Sequence, residues 1–405
     1  MKIKFCRACH SKRLAKLFSL GRLSFTGKFP SINQKIKKEP ISIVICKECE
    51  LVQLTHNFDL KYLYGPDYGY RTGINKTMLN HVKSVVKYLS KKTNLKPRDN
   101  VLDIASNDGS LLNFYNKNII TFGIDPILNK YEDQYQNINY KISDFFSADK
   151  IRHKLKKKFK IITALSVFYD TLEPNKFLKD IKKLLSKEGI FLLEFADLAS
   201  IVQYKMFDTI CHEHLEYYSS KVIINLCKKN KLRVFDIKKN DINGSSKQYY
   251  VCHDDSKIKD NTRVIQNELS NEKKLKLSEV ETFKKFFKNI NHLKIKLNKL
   301  IKKINKNGKK IHCYGASTKG NVLLQYYKIN NKMISFAAER NKNKYNLFTP
   351  GTNIKIISEV LSRFYKPDYY LVLPWHFRKE ILVREKDIRK KGVKFIFPLP
   401  NLRVE

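Results

Sequence analysis

Short apolar runs alternate with helical stretches through the middle of the chain. The runs VLDI, TFGI, IITAL and IFLLEF start at residues 101, 121, 161 and 190, and helical patterns cover 75–92 and 174–186. Apolar strands separated by helices are typical of a parallel sheet that is covered on both faces. The pattern predicts a doubly wound, Rossmann-like α/β domain, to which we assign residues 66–240.

A long amphipathic segment follows at 269–306, where apolar residues recur at three and four positions between lysines. After Gly308 the chain returns to strand-like runs in KKIHCYGASTKGNVLLQYY, MISFAAERN, DYYLVLPW and VKFIFPL. We therefore expect one connector helix and a second Rossmann-like α/β domain within residues 241–405.

Two cysteine pairs lie near the N-terminus, Cys6 with Cys9 and Cys46 with Cys49. Two C-x-x-C pairs are typical of a closed, structural zinc site with four thiolate ligands. The alternative is a pair of disulfides, which fits a cytosolic compartment poorly. We predict a small zinc-binding domain at residues 1–65.

The chain is strongly basic, with a formal net charge of +42 from 80 Lys+Arg against 38 Asp+Glu. Such a charge raises nucleic-acid binding as an alternative, but the lysines are spread along the chain without a nucleic-acid-binding motif. An anionic small substrate would benefit from the same field. The sequence has no run of 18 apolar residues and no signal-peptide pattern, so we expect a cytoplasmic protein without a membrane partner.

The stretch VLDIASNDGSLL joins a strand that ends near Asp103 to a small polar loop, and Asp125 ends the next strand. Small residues there let a ligand approach the backbone, and the second acid can accept hydrogen bonds from ribose hydroxyls. The loop lacks G-x-G-x-x-G, which disfavours NAD and favours a nucleoside without phosphates. The order of a strand with an acid, a small polar loop and a second acid resembles that of S-adenosylmethionine-dependent methyltransferases. The cofactor contacts expected from this resemblance are Asp103, Ala105, Ser106, Asn107, Asp108, Gly109, Asp125, Pro126, Asp144, Phe145 and Ser166.

The segment FDTICHEHLEYYS at 207–219 places Glu213 between His212 and His214. A metal site is one interpretation, but the zincin order H-E-x-x-H is absent and no further ligand cluster is visible. A histidine is suited to acid/base work because its pKa of about 6.5 lies near working pH. A buried, merely hydrogen-bonded role remains open for His212.

Over nearly its full length the chain resembles the three-domain sugar C-methyltransferases of deoxysugar biosynthesis. The resemblance rests on the two cysteine pairs and on YGYRTG, VLDIASNDGSLL, SVFYDTLEP, FDTICHEHLEYYS, YGASTKGN and ERNKNKYNLFTPGTNIKIIS, in this order. It implies a zinc domain, an S-adenosylmethionine domain and a C-terminal domain that helps to hold a nucleotide-linked keto sugar. Better-known members have a tyrosine where this chain has Cys211, so the precise sugar stays open.

The resemblance also implies roles for individual residues. His214 matches the base that removes a proton from carbon, Glu213 matches a carboxylate that positions the substrate, and Tyr70 matches a tyrosine over the active site. Arg71 is a further candidate for a diphosphate contact. The expected substrate-binding residues are His212, Gly315, Lys319, Gly320, Asn321, Glu339, Arg340 and His376.

The function that we expect from the sequence is methyl transfer from S-adenosylmethionine to a carbon of a nucleotide-linked keto-deoxysugar, through a base-generated enolate. One alternative is methylation of oxygen or nitrogen on a sugar or other small molecule. Another is a zinc-containing nucleic-acid-binding protein, although we expect no specific nucleic acid. We expect a monomer or a weak dimer.

Overall fold

The computed structural model describes residues 1–32, 34–65 and 67–405. Its strands are Leu14–Ser24 (β1), Lys38–Cys46 (β2), Val52–Leu54 (β3), Asn100–Ile104 (β4), Ile120–Ile124 (β5), Tyr140–Ile142 (β6), Phe159–Leu165 (β7), Leu185–Phe195 (β8), Glu216–Tyr217 (β9), Leu232–Asn240 (β10), Ser246–His253 (β11), Ile311–Tyr314 (β12), Phe336–Glu339 (β13), Lys355–Ser358 (β14), Tyr369–Val372 (β15), Lys394–Phe397 (β16) and Arg403–Val404 (β17). Its α-helices are Leu60–Leu63 (α1), Lys76–Lys92 (α2), Ala148–Arg152 (α3), Pro174–Leu184 (α4), Leu198–Gln203 (α5), Ser220–Lys229 (α6), Thr262–Lys274 (α7), Val280–Lys306 (α8), Thr318–Tyr327 (α9), Glu359–Phe364 (α10), Arg378–Arg384 (α11) and Lys386–Lys390 (α12). Within these described ranges, no helix is both long and apolar enough to cross a membrane.

The N-terminal sheet has the antiparallel order β1-β2-β3-β9. Its fourth strand, β9, comes from the segment that follows His214, where Glu216 pairs with Gln53 and Tyr217 pairs with Val52. The backbone N–H of Leu54 also donates to the carbonyl of Leu215 at 2.8 Å. Residues adjoining the predicted catalytic histidine are therefore part of the zinc domain's sheet.

The central sheet has the order β10-β11-β8-β7-β4-β5-β6. The strands from β8 to β6 are parallel, and β10 and β11 add an antiparallel hairpin. The central strand β4 is buried at every position, as its apolar sequence predicts. Because β11 pairs with β8, this sheet continues past residue 240, where the sequence suggested a domain boundary.

The C-terminal sheet has the order β14-β13-β12-β15-β16-β17 and is parallel except for β17. Its first strand, β12, lies between β13 and β15, so the strand order reverses at the end of β12. In open α/β sheets, ligands bind outside the carboxyl ends of the strands at such a switch point. The predicted α/β class with two Rossmann-like domains is confirmed.

The connector is two helices, α7 and α8, and the single helix expected over 269–306 is wrong. Helix α7 ends at Lys274, and Lys276 then takes a left-handed φ of +54° that an α-helix cannot continue. Helix α8 begins at Val280, and its buried face agrees with the predicted three/four spacing. The buried residues of that face are Phe283, Phe286, Ile290, Leu293, Leu297, Ile301 and Ile304.

A buried ionic cluster fastens α7 to the central domain. The Nζ of Lys247, on β11, lies 2.8 Å from Asp197, 3.0 Å from Glu268 and 3.0 Å from Glu272. The Lys247 side chain is 1% exposed, and both glutamates belong to α7. A buried charge requires this degree of pairing, because its desolvation is costly.

Candidate active site

A cleft of about 610 Å³ lies where the three domains meet. It is lined by Tyr64 and Tyr70 on one side, by the polar loop after β4, and by the loops after β12 and β15. The carboxyl ends of both parallel sheets therefore open into one space. A cavity of this size is within the range of binding sites for small molecules.

The loop after β4 is shaped by residues in left-handed backbone conformations. Ala105 has φ +58° and Asn107 has φ +53°. The backbone N–H of Asn107 donates to Oδ2 of Asp125 at 2.9 Å, and that of Ile127 donates to Oδ1 at 2.8 Å. Asp125 is thereby fixed beside the loop at the end of β5, where a ribose would be recognised.

Two buried acids give this part of the cleft its electrostatic character. Burial raises the pKa of Asp103 to about 7, although the Thr163 hydroxyl, which donates to it at 2.6 Å, opposes the shift. Burial likewise raises the pKa of Asp125 to about 6. Near neutral pH the acids add negative charge at this edge. Further predicted cofactor contacts that line the cleft are Ala105, Ser106, Asn107, Pro126, Asp144, Phe145 and Ser166.

Asp108 and Gly109 correct the sequence prediction, because neither lines the cleft among the residues that the structure describes. The Asp108 carboxylate faces the preceding segment, where it accepts hydrogen bonds from Arg71 at 3.1 Å and from the Gly73 backbone at 2.8 Å. Its role is to hold residues 71–73 against the cofactor loop. The sequence suggested Arg71 as a diphosphate contact, but its Nε is engaged in this hydrogen bond with Asp108.

His214 lies in the cleft with one ring nitrogen fixed. Its Nδ1 is 2.6 Å from the Thr209 carbonyl, which can only accept, so Nδ1 carries the hydrogen and Nε2 keeps a lone pair. The ring packs against Tyr169 at 4.2 Å. Burial lowers the pKa of His214 to about 4, Glu213 and Thr209 oppose this shift, and Lys319 adds to it. The imidazole is therefore neutral at pH 7.

Glu213 also lines the cleft, but both its oxygens are held by the zinc domain. Oε1 accepts from the Gly27 backbone at 3.0 Å, and Oε2 accepts from the Thr26 hydroxyl at 3.2 Å. A Cβ on Gly27 would lie 2.7 Å from Oε1, so the absence of a side chain there permits the contact. Glu213 thus joins the segment 207–219 to the loop after β1.

His212 corrects the prediction of a substrate contact. Its ring is fully buried between Phe25, at 4.7 Å, and Phe58, at 5.0 Å, and it is absent from the described cleft lining. Burial lowers its pKa. The backbone bends through residues 211–213, so His212 packs into the zinc domain whereas His214, two positions later, faces the cleft. Cys211 is also fully buried.

The C-terminal domain contributes cationic and polar groups to the same cleft. Lys319 lies at the start of α9, where its Nζ donates to the Asn243 carbonyl at 3.0 Å. Burial lowers its pKa, and the nearby Asp208 opposes the shift. His376 also lines the cleft, its Nδ1 has no partner in the described part of the chain, and burial lowers its pKa well below the usual value.

Glu339, at the end of β13, is held by backbone amides in the same way as Asp125. Its Oε2 accepts from Ala316 at 2.8 Å and its Oε1 accepts from Asn341 at 3.0 Å. Gly315, Glu339 and Arg340 line the cleft as predicted.

Gly320 and Asn321 correct the prediction, because they are buried and outside the described cleft lining. A Cβ on Gly320 would meet Leu373 at 2.7 Å, so this glycine serves helix packing. The Asn321 amide donates to the Thr26 carbonyl at 2.7 Å, which ties α9 to the zinc domain.

Sequence reasoning missed a histidine–carboxylate pair in the cleft. The Nε2 of His81, on α2, lies 2.7 Å from Oε1 of Glu194, at the end of β8, and Gln248 donates to the same carboxylate. An acid inside the apolar run IFLLEF was the available signal. Asp170 was also missed, although SVFYDTLEP was recognised as a motif; it lines the cleft and its Oδ2 accepts from the Tyr64 hydroxyl at 2.7 Å.

The four N-terminal cysteines form one cluster, with their sulfur atoms all within 4.8 Å of one another. The closest sulfur pairs are 3.5 Å and 3.4 Å apart, which fits a tetrahedral ion about 2.3 Å from each sulfur. Gln53 donates to the sulfur of Cys6 at 3.2 Å, and Arg7, inside the first pair, lies 3.6 Å from Glu216. The donor set fits zinc, and its surroundings connect the metal site with β9.

Comparison with family models gives three matches in chain order. They are a zinc binding domain over residues 6–64, a methyltransferase domain over 74–236 and a C-methyltransferase C-terminal domain over 241–400. This order is the three-domain arrangement of a C-methyltransferase. The last two models meet between residues 236 and 241, and β11 completes the central sheet from beyond this point.

Among curated proteins, the chain is 26% identical to the C-methyltransferase NovU of Streptomyces niveus, over 98% of this chain and 96% of that one. Solved structures give weaker matches. A magnesium protoporphyrin IX methyltransferase from Synechocystis with bound S-adenosylmethionine has 15% identity and a TM-score of 0.34, covering 48% of this chain and 89% of that one. A methyltransferase from Clostridium acetobutylicum has 14% identity and a TM-score of 0.34, covering 43% and 92%. TM-scores this low add nothing to the family assignment.

The family assignment makes this protein an S-adenosylmethionine-dependent C-methyltransferase with a structural zinc ion. The donors fit the cofactor, because two buried acids and a loop of small residues suit a cationic, phosphate-free nucleoside. When bound, S-adenosylmethionine supplies an electrophilic methyl group.

Proposed function

We propose that this enzyme methylates a carbon atom next to the ketone of a nucleotide-linked keto-deoxysugar. The carbon atom as acceptor is consistent with the family, and the keto sugar follows from the resemblance of the motifs. The observation that carries the proposal is His214, a neutral imidazole with a free Nε2 in the cleft between the two Rossmann-like domains.

The chemistry requires a base that acts on carbon. A ketone makes the neighbouring C–H acidic enough for a protein base, which contributes roughly 10²- to 10⁴-fold to the rate. Thr209 holds His214 in the tautomer that can accept this proton at Nε2. We assign Glu213 to positioning, because Thr26 and Gly27 fix its carboxylate and it in turn precedes His214 in the chain.

The charges in the cleft support a nucleotide-linked substrate. The central domain presents Asp103 and Asp125 with Arg71 nearby, whereas the C-terminal domain presents Lys319 and Arg340 together with Glu339. A diphosphate would be repelled by the acids and attracted by the cations, so we assign the nucleotide to the loop after β12. Tyr70, which lines the cleft, is assigned to the sugar, together with His376.

The base assignment is tested with His214→Asn. We expect turnover of a thymidine diphosphate-linked 4-keto-6-deoxyhexose to fall about 10²- to 10³-fold. Exchange of the substrate's C–H for deuterium from solvent should be lost in parallel. Cofactor affinity, measured by calorimetry, should stay unchanged.

The matched control for this test is His81→Asn, which removes the other cleft histidine. Full activity in His214→Asn, or loss of deuterium exchange only in His81→Asn, would transfer the base to the His81–Glu194 pair. Locating the new methyl group by NMR would also separate carbon methylation from the oxygen or nitrogen alternatives.

Nucleic-acid binding is the second candidate function, and the net charge of +42 favours it. It predicts affinity that falls steeply with salt, whereas the enzyme should bind nucleic acid only weakly. A cytoplasmic location and a monomeric or weakly dimeric state remain predictions from the sequence.

A further inference from the structure

Asp170 is a buried acid in the cleft whose surroundings leave one oxygen free. The residue is 8% exposed and follows β7 in a short helical turn, Phe168–Asp170. Its Oδ2 accepts the hydrogen bond from the Tyr64 hydroxyl, and its Oδ1 has no hydrogen-bond partner in residues 1–32, 34–65 and 67–405. Oδ1 is therefore an unpartnered oxygen of a residue that lines the cleft.

The groups around Asp170 favour its neutral form. Burial raises its pKa well above the usual value, the Tyr64 hydrogen bond opposes this, and the nearby carboxylates Glu213 and Glu216 raise it further. Tyr68 and Tyr169 also lie close enough to interact with its charge.

Asp170 accepts a single hydrogen bond, the one that Tyr64 donates to Oδ2. Its other oxygen, Oδ1, accepts none in the described part of the chain and is the oxygen that can carry the proton.

We infer that Asp170 is a further catalytic residue, a neutral acid whose Oδ1–H donates a hydrogen bond to the carbonyl oxygen of the substrate. This inference rests on the proposed function. His214 lies close by, because the Leu215 backbone N–H donates to the Tyr169 carbonyl at 2.8 Å and the two rings of Tyr169 and His214 are in contact.

The substrate C–H bond breaks, its proton goes to Nε2 of His214, and its electron pair moves onto the carbonyl oxygen. The Asp170 hydrogen bond stabilises that oxyanion, and the proton stays on Oδ1. On methyl transfer the methyl–sulfur bond of the sulfonium cofactor would break with its electron pair staying on sulfur, the enolate electron pair would form the new carbon–carbon bond, and the ketone would return.

A hydrogen-bond donor at this position compensates for the weakness of His214 as a base. A histidine whose pKa is about 4 is a weak base, so the proton transfer needs an enolate that the site stabilises. Removing one such donor from an oxyanion site typically costs about 10²- to 10³-fold in turnover.

The variants Asp170→Asn and Asp170→Ala test the inference. Asparagine keeps a neutral donor that can also accept from Tyr64, so turnover of the thymidine diphosphate-linked 4-keto-6-deoxyhexose should stay within about tenfold of wild type. Alanine removes the donor and should lose about 10²- to 10³-fold. Wild type should lose turnover at high pH as Asp170 ionises, and Asp170→Asn should lack that loss.

Infrared spectroscopy gives a second measurement that needs no substrate. At pH 7 the wild-type spectrum minus the Asp170→Asn spectrum should show the C=O band of one protonated carboxyl group, because other buried acids such as Asp103 contribute to both spectra. Because this result does not depend on the sugar, it separates failure of the inference from failure of the proposed function. Absence of the band, full activity in Asp170→Ala, or equal losses in both variants would overturn the inference.

Discussion

The two Rossmann-like domains use the same backbone device with opposite charges. In both, a residue with positive φ follows the first strand, Ala105 at +58° and Gly315 at +80°. In both, the acid that ends the second strand accepts from an amide of that loop, Asn107 to Asp125 and Ala316 to Glu339.

The charged side chains around these shared loops differ. The central loop lies among buried acids, including Asp103, whereas the C-terminal loop carries Lys319 and is approached by Lys344, which donates to the Ala316 carbonyl at 2.8 Å. We therefore propose that the fold sets where a nucleoside binds and that the side chains select a cationic cofactor in one domain and an anionic substrate in the other.

The largest effect should come from loosening the junction between these domains. Lys247→Met leaves Asp197 and Glu272 buried without their cation, while Glu268 keeps Lys239, and we expect the free energy of unfolding to fall by about 3–5 kcal/mol. Urea unfolding measures this change. The control is Lys284→Met, whose partner Glu281 is exposed on α8, where the loss should stay below about 1 kcal/mol.

A crossed pair of substitutions tests whether the two acids serve different ligands. Asp125→Ala should weaken S-adenosylmethionine binding by about 1–3 kcal/mol. The ribose would lose its hydrogen-bond acceptor, and the backbone N–H groups of Asn107 and Ile127 would lose the carboxylate to which they donate. Glu339→Ala removes the same kind of contacts from the other domain and should leave that affinity within twofold. Equal losses of cofactor affinity in both variants would refute the division of roles.

Lys319→Met should weaken binding of the substrate's diphosphate without changing binding of the cofactor. We expect about a tenfold weaker affinity for thymidine diphosphate and unchanged cofactor affinity, both measured by calorimetry. Because Lys319 helps to hold the pKa of His214 down near 4, its removal should raise that pKa. Because His214 must be deprotonated to act as the base, the acid limb of the pH–rate profile should move to higher pH. An unchanged acid limb would show that Lys319 does not influence the pKa of the base.

The smallest effect concerns the two positive-φ residues themselves. Ala105→Gly should stabilise the protein by up to about 1 kcal/mol, because glycine adopts this backbone without strain. Gly315→Ala should destabilise it by about 1–2 kcal/mol, since a Cβ would also lie 3.0 Å from Pro374. Thermal unfolding should show a higher melting temperature for Ala105→Gly and a lower one for Gly315→Ala. A change in the same direction in both variants would contradict the equivalence of the loops.

Sequence alone predicted the elements that depend on local pattern. The apolar strands, the cysteine cluster and the strand–loop–helix unit of β12 and α9 follow from periodicity and spacing, and the fold class is confirmed; after β4 a short 3₁₀ turn, Leu112–Phe114, stands where a helix was expected. The break between α7 and α8 was missed because Lys276 gives no sign of its left-handed conformation.

Side-chain direction and long-range pairs were beyond the sequence. His212 and His214 differ in direction because Phe25 and Phe58 enclose the first ring, and these aromatics come from another domain. Asp108 faces Arg71 rather than a ligand for a similar reason. The His81–Glu194 pair joins residues 113 positions apart, so only the assembled sheet brings it together.

Hydrogen–deuterium exchange over the whole chain, with S-adenosylhomocysteine and thymidine diphosphate added separately, tests the central claim most directly. We predict that the nucleoside protects the loop at 103–109 and that the diphosphate protects the loop at 315–321, with little overlap. Protection of the same loop by both ligands would contradict the account in which one fold, used twice, carries opposite charges for a cofactor and a sugar nucleotide.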